Sequence, residues 1–442
     1  MTDSVPSSDL AATVDAALDR QSVVDMHTHL YPPSFGTPMP GRTGRADPNG
    51  LMLWGVDELL TYHYLVAEVF RVVPATVLPY EQFWKMSKRQ QADHIWKHLF
   101  VERSPISEAC RGVLTTIKKL GLDASDSTPA RWREFCELQD PSDYIDRVMK
   151  ASNVSSITMT NNVFDDNERQ RWLNDPSIAK DPRFTTVLRF DQLLQDFPSA
   201  AKMLSQWGYA ADGANVNAAT IDSVKRFLND WIDRMKPIYL ALSLPPTWRH
   251  PADPGDPVAR AGQTVLEKAI LPICEERNLP FAMMIGSKRG VNPALRDAGD
   301  MGGLSDVQSV ATLCREFPNN RFFVTMLARE NQHDLAVAAR KFGNLMIFGC
   351  WWFLNNPILI EEITSIRMEL LGTSFIPQHS DCRVLDQLIY KWEHSRRVIA
   401  KVLTRKFADL ATAGRPASKQ QIEQTIKLML VDNFENFRRG HG

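Results

Sequence analysis

SVVDMHTHL, residues 22–30, decides how this chain is read. Its apolar start runs into polar residues, as a buried strand does where it leaves a sheet for a loop. In an extended strand, residues two apart point to one face, so His27 and His29 project together at the strand's carboxyl end. Two convergent imidazoles are the beginning of a divalent metal site. The bland alternative is a pair of polar residues at a strand-to-loop boundary. Placement at the end of a first barrel strand, after Asp25, favours the ligand reading.

Working outward, seven further apolar runs follow: VSSITMT (154–160), FTTVLRF (184–190), IYLALSL (238–244), FAMMIG (281–286), RFFVTML (321–327), NLMIFG (344–349) and SFIPQHS (374–380). Continuous rather than alternating apolar strands suit a parallel sheet covered on both faces. Helical punctuation lies between them: 331–342 closes at Gly343, and 357–371 opens on a proline and ends at Gly372. Strand and helix alternating eight times predict an α/β fold, a (β/α)₈ TIM barrel ahead of a doubly wound sheet. Pro377 makes the eighth run irregular, and a loop is the alternative there. Residues 30–153 contain no clear strand but helical stretches at 56–72, 80–100 and 107–120. The expectation is a single domain, 1–442, with a helical insertion at 35–150 after strand 1. A helical C-terminal tail, 385–439, is broken around 413–416. Barrels with insertions reach this length.

Composition narrows the class. Hydrophobic residues are 44% and charged residues 23% of 442, near globular averages, which excludes a disordered or fibrous chain. Lys plus Arg is 51 against 52 Asp plus Glu, so there is no basic footprint for nucleic acid. The six cysteines are scattered and never spaced as CxxC, which argues against a disulfide framework or zinc ribbon. An acidic, polar start shows no signal peptide, and no run approaches a membrane span. The expected location is the cytoplasm, without a membrane partner.

Ser380-Asp381-Cys382-Arg383 ends the eighth run. The first and eighth strands of a closed barrel are neighbours, so Asp381 would reach a metal held by His27 and His29. A carboxylate there serves as ligand, proton shuttle, or both in turn. Its alternative is the N-cap of a helix beginning near Val384.

HxH after strand one with Asp at strand eight resembles the amidohydrolase superfamily, and further motifs narrow the resemblance to uronate isomerases. These are Tyr62-His63-Tyr64 after strand one, Arg189-Phe190-Asp191 at strand three, and Gly349-Cys350-Trp351-Trp352-Phe353 at strand seven. Ser380 to Arg383, then Tyr390 and His394 to Arg397, complete them. The resemblance covers nearly the whole chain and is densest over 286–403. It implies one divalent metal ion, zinc first and manganese second, on His27, His29 and Asp381, with Asp381 also moving the proton. Arg189 and Arg383 would grip a substrate carboxylate, and His63 and Tyr64 would touch sugar oxygens or relay protons. Trp351 and Trp352 would wall the pocket, one of them able to stack on a sugar ring.

The implied function is a metal-dependent aldose–ketose isomerase acting on a hexuronate such as glucuronate. Such chemistry needs a base near one carbon and a positive centre near the developing oxyanion. A guanidinium fork suits a carboxylate bidentately. The runner-up is a metal-dependent hydrolase of an acid-sugar lactone or amide; a third reading is a non-catalytic acid-sugar binder. A small acidic sugar is the expected partner, and a homo-oligomer stays open. Simpler roles compete at two positions: a rim salt bridge for Arg189, and packing for Tyr64.

One departure stands out. The family pattern has His-x-Gly at the end of strand five, where this chain has Met284-Ile285-Gly286. A thioether cannot replace imidazole on zinc or manganese, so the implied metal would have fewer protein ligands or a changed chemistry. His333 falls in a helical stretch and reads as a surface residue. GxSxG, GxxxxGK[ST], HExxH and GxGxxG motifs are all absent.

Overall fold

A computed structural model describes residues 4–38, 46–175 and 177–440. Among them, seven parallel strands form one sheet in chain order. They are β1 (Val23–Thr28), β2 (Val154–Asn162), β3 (Phe184–Arg189), β4 (Leu240–Leu244), β5 (Phe281–Ile285), β6 (Phe322–Met326) and β7 (Leu345–Ile347). Parallel neighbours need crossover connections, and helices supply them. β4, β5 and β6 are buried at every residue, as a sheet covered on both faces requires.

The eighth run does not form a strand. Its ladder with β7 is a single parallel bridge, Phe348 to Ile376. Gly349 N donates to Ile376 O at 2.9 Å and Ile376 N to Ile347 O at 3.1 Å. Pro377 then has no N–H to continue the ladder. Beyond it the chain bonds to β1 instead: Asp381 N to His27 O at 3.2 Å, and His29 N to Cys382 O at 2.7 Å. An irregular connection, hydrogen-bonded on both sides, therefore replaces the expected eighth strand.

Asp25 anchors that connection. Fully buried in β1, its carboxylate accepts from Ser380 N at 3.1 Å and from the Trp392 indole at 2.8 Å. The helix carrying Trp392, Gln387–Thr412, is thereby tied to the strand that carries the histidines.

Between β1 and β2 the described residues form helices joined by turns and loops, with 39–45 outside them. The expected helix over 56–72 divides into Val56–Leu60 and His63–Val72. That over 80–100 divides into Tyr80–Lys85 and Lys88–Trp96, because Ser87 and Gln90 form a capping box that starts a new helix. Glu108–Lys119 lies where a helix was expected, and Ala130–Glu137 and Pro141–Ser152 follow. The tail is helical over Gln387–Thr412, Lys419–Lys427 and Asn433–Arg439, with its break between the first two. The six cysteines are buried and unpaired. No described helix is long and apolar enough to cross a membrane.

Candidate active site

The carboxyl end of β1 delivers both imidazoles, their ring centroids 5.4 Å apart. Asp381 arrives from the irregular connection with φ of 53°, a left-handed conformation that Asp tolerates better than most residues. Its Oδ1 lies 3.7 Å from Nε2 of His27 and 3.6 Å from Nε2 of His29. The three donor atoms all fall within 4.8 Å of one another. Ligands about 2.0–2.2 Å from a tetrahedral ion sit roughly 3.3–3.6 Å apart, so this spacing fits one ion. Nε2 of His27 and Oδ1 of Asp381 are buried without a hydrogen-bond partner among the described residues, as atoms reserved for a cation would be.

Electrostatics agree with the geometry. Burial holds His27 and His29 well below the usual imidazole range, with Arg189 adding to the effect at both. Both rings are then neutral, the form that binds metal. Burial pushes the Asp381 carboxyl up to about 7, against the pull of Lys391, Arg189 and Arg383.

A cavity of about 430 Å³ opens on this cluster, within the size range of small-molecule sites. His29, His63, Arg189, Trp351, Trp352, Asp381 and Arg383 all line it. His27 sits behind, 1% exposed. Tyr64 is not in the wall: its ring lies 4.4 Å from that of His63, under the Lys391 ammonium at 5.2 Å. Its neighbour Tyr62 lines the cavity instead.

Each guanidinium has a carboxylate partner. Arg189 grips Asp191 through two bonds, of 2.9 and 2.6 Å, and donates to Ser243 Oγ at 3.1 Å. The rim salt bridge and the pocket position are therefore one arrangement. Arg383 donates to Asp297 at 3.0 Å and is half-exposed. Met284 is buried and lines the cavity, so β5 presents a thioether where the family pattern has imidazole. His333 is exposed, as its helical position implied.

Several residues in or behind the cavity wall had no role assigned from the sequence. Arg289 lies 5.1 Å over the Trp352 ring and pairs with Asp300 at 2.5 Å. Tyr31, Asn162 and Glu168 line the β1–β2 side. His379, two residues before Asp381, packs its ring 5.4 Å from that of His27. It fits only because Gly349 has no Cβ, which would fall 1.7 Å from Nδ1 of His379. A third histidine so near the Ser-Asp-x-Arg motif was the available signal for His379. Arg289 stood in a loop that resembles the family's but carried no assigned role, and Tyr31, Asn162 and Glu168 lie in no motif.

No family model matches the chain, and no curated relative does. Solved structures do. A uronate isomerase from Bacillus halodurans C-125 is 48% identical, with 99% of this chain and 98% of that chain covered and a TM-score of 0.90. A uronate isomerase from Thermotoga maritima is 14% identical over 97% of both chains, TM-score 0.72. A glucuronate isomerase from Caulobacter crescentus is 15% identical over 99% of this chain and 95% of that chain, TM-score 0.74. The last two share the fold. The first, at that identity over almost the full length of both chains, settles the relationship: this chain belongs to the uronate isomerase family.

Proposed function

We propose that this protein interconverts an aldose and a ketose form of a hexuronate such as glucuronate, with one divalent ion held by His27, His29 and Asp381. The observation that carries the reading is the meeting of that cluster with Arg189 and Arg383 in one cavity. The sheet is read as a (β/α)₈ barrel closed through the connection before Asp381, and the chain as one domain with 35–150 inserted. Zinc is the first candidate ion and manganese the second, given two imidazoles and one carboxylate. Buried, unpaired cysteines suit a reducing compartment, and the cytoplasm is the proposed location.

A divalent ion bound there supplies positive charge where the carbonyl oxygen becomes an oxyanion. Arg189, locked by Asp191, and Arg383 hold the sugar's carboxylate, which orients C1 and C2. Asp381 takes the proton from one of these carbons and returns it to the other. His63, kept neutral by burial, contacts a sugar oxygen, and Tyr64 supports His63 from outside the wall. Trp351 and Trp352 keep that end of the cavity apolar.

Incubating metal-loaded protein with glucuronate in D₂O and following the sugar by NMR tests this. The ketose should appear. Hydrolysis of an acid-sugar lactone without any isomerisation would replace this reading with the hydrolase, and binding without turnover with the non-catalytic one.

A further inference from the structure

Glu168 is 3% exposed and lines the cavity, yet the isomerisation machinery has no use for it. Asp381 moves the proton and the two arginines take the carboxylate. Three donors converge on Glu168: Asn161 Nδ2 at 2.7 Å on Oε1, and Asn162 N at 3.0 Å with the Tyr31 hydroxyl at 3.1 Å, both on Oε2. Tyr31 also reaches Thr160 O at 3.3 Å. Its one proton is therefore engaged within the protein, and the phenol oxygen keeps a lone pair for a ligand. The side chain of Asn162 uses its Oδ1 on Phe164 N at 3.1 Å. Its Nδ2 has no partner among the described residues, so it remains a donor.

We propose that Tyr31 and Asn162, held in place by Glu168, form a wall that recognises a vicinal diol on carbons of the sugar that do not react. This rests on the function proposed above. Each sugar hydroxyl both donates and accepts, so an acceptor on Tyr31 and a donor on Asn162, two residues lining one side of the cavity, match two adjacent hydroxyls. A site built to hydrogen-bond a hydroxyl discriminates strongly against a ligand lacking it, because the buried partner is left unpaired. Glu168 is the positioning residue; burial pushes its carboxyl up to about 8, a cost borne inside the cavity wall. The simpler role, closing the turn from β2 into the helix Asp166–Asn174, would not depend on which sugar is bound.

The test is Tyr31→Phe, which keeps the ring, with Glu168→Gln as a second variant. Both are assayed on a hexuronate and on its monodeoxy analogues at C3, C4 and C5, with metal content measured in parallel. Tyr31→Phe should lose about tenfold in kcat/KM on the parent sugar, mostly through KM. The loss should vanish for the analogue that lacks the hydroxyl being read, and metal content should not change. An equal loss on every sugar, or no loss on any, overturns the proposal. If the wild type isomerises no hexuronate, the function reading fails separately, and calorimetry with an open-chain aldarate decides the wall. Binding about tenfold weaker in Tyr31→Phe supports it; equal affinity, or no binding to either protein, overturns it.

Discussion

The Trp352 indole donates to Nε2 of His63 at 2.9 Å. Indole nitrogen only donates, so Nε2 is the acceptor and the neutral ring carries its proton on Nδ1. A tryptophan from the end of β7 thus selects the tautomer of a histidine on a helix nearly three hundred residues earlier in the chain.

Trp352→Phe keeps an aromatic wall and removes that donor. Turnover of a hexuronate is expected to fall about tenfold, the scale of one lost hydrogen bond. In ¹⁵N NMR the wild-type His63 should hold one tautomer and stay neutral down to about pH 3, where burial places its titration. The variant should lose the tautomer preference and titrate higher. An unchanged spectrum would show that Trp352 does not set the ring.

Removing the ion should abolish turnover. After dialysis against a chelator, activity is expected to disappear and the melting temperature to drop, since a ligand bound only to the folded state stabilises it. Zinc or manganese should restore both. Asp381→Asn and His29→Asn should each lower metal content by elemental analysis. Full activity in metal-free protein would exclude a metal-dependent reaction.

Met284 lines the same cavity as His29 and Asp381. Met284→His should add an imidazole to the site and tighten metal binding about tenfold or more. A competition titration with a metal-binding dye measures this. A folded variant with unchanged affinity would mean that the side chain at 284 does not reach the ion.

Arg383→Lys keeps the charge but loses the planar fork. Because Arg383 is half-exposed, the loss should be moderate: about a tenfold rise in KM for uronates, with neutral hexoses unaffected. Steady-state kinetics on both sugar classes gives the comparison. Equal losses on the two would remove the carboxylate-binding role.

Glu168 couples stability to pH. Its carboxyl sits near 8 when folded, against 4.5 for a solvated glutamate such as the unfolded chain presents. Between those values the unfolded chain has released the proton and the folded chain retains it, so the stabilising effect of protonation is present below about 4.5 and is lost as pH rises toward 8. Wild type should therefore lose melting temperature across that window relative to Glu168→Gln. Parallel pH profiles for the two proteins would disprove the raised value.

The residues themselves determined a good part of this protein. Apolar runs at 184–190, 238–244, 281–286 and 321–327 are strands because they are buried on both faces, and that pattern is local. HxH at the end of β1 reads as a ligand pair because strand geometry places residues two apart on one face. The strands are present in the structure, and both imidazoles stand in one cluster with Asp381. The eighth run shows where local reading stops. Its apolar pattern resembles a strand, but Pro377 ends the ladder and Asp25 pulls Ser380 toward β1. The helix expected over 80–100 likewise divides, where the Ser87 cap competes with a continuous apolar stripe.

The company each side chain keeps depends on the path of the whole chain. That Asp381 stands 3.6 Å from His29, that Trp352 bonds His63, and that Tyr31 meets Glu168 are contacts across 352, 289 and 137 residues of sequence. The physical reason is that propensity and periodicity act over a few residues, whereas a cavity wall is assembled from strand ends that meet only when the sheet curls. Tyr64 makes the same point from the other side: motif position put it with the catalytic residues, but packing under Lys391 left it outside the wall and brought Tyr62 in.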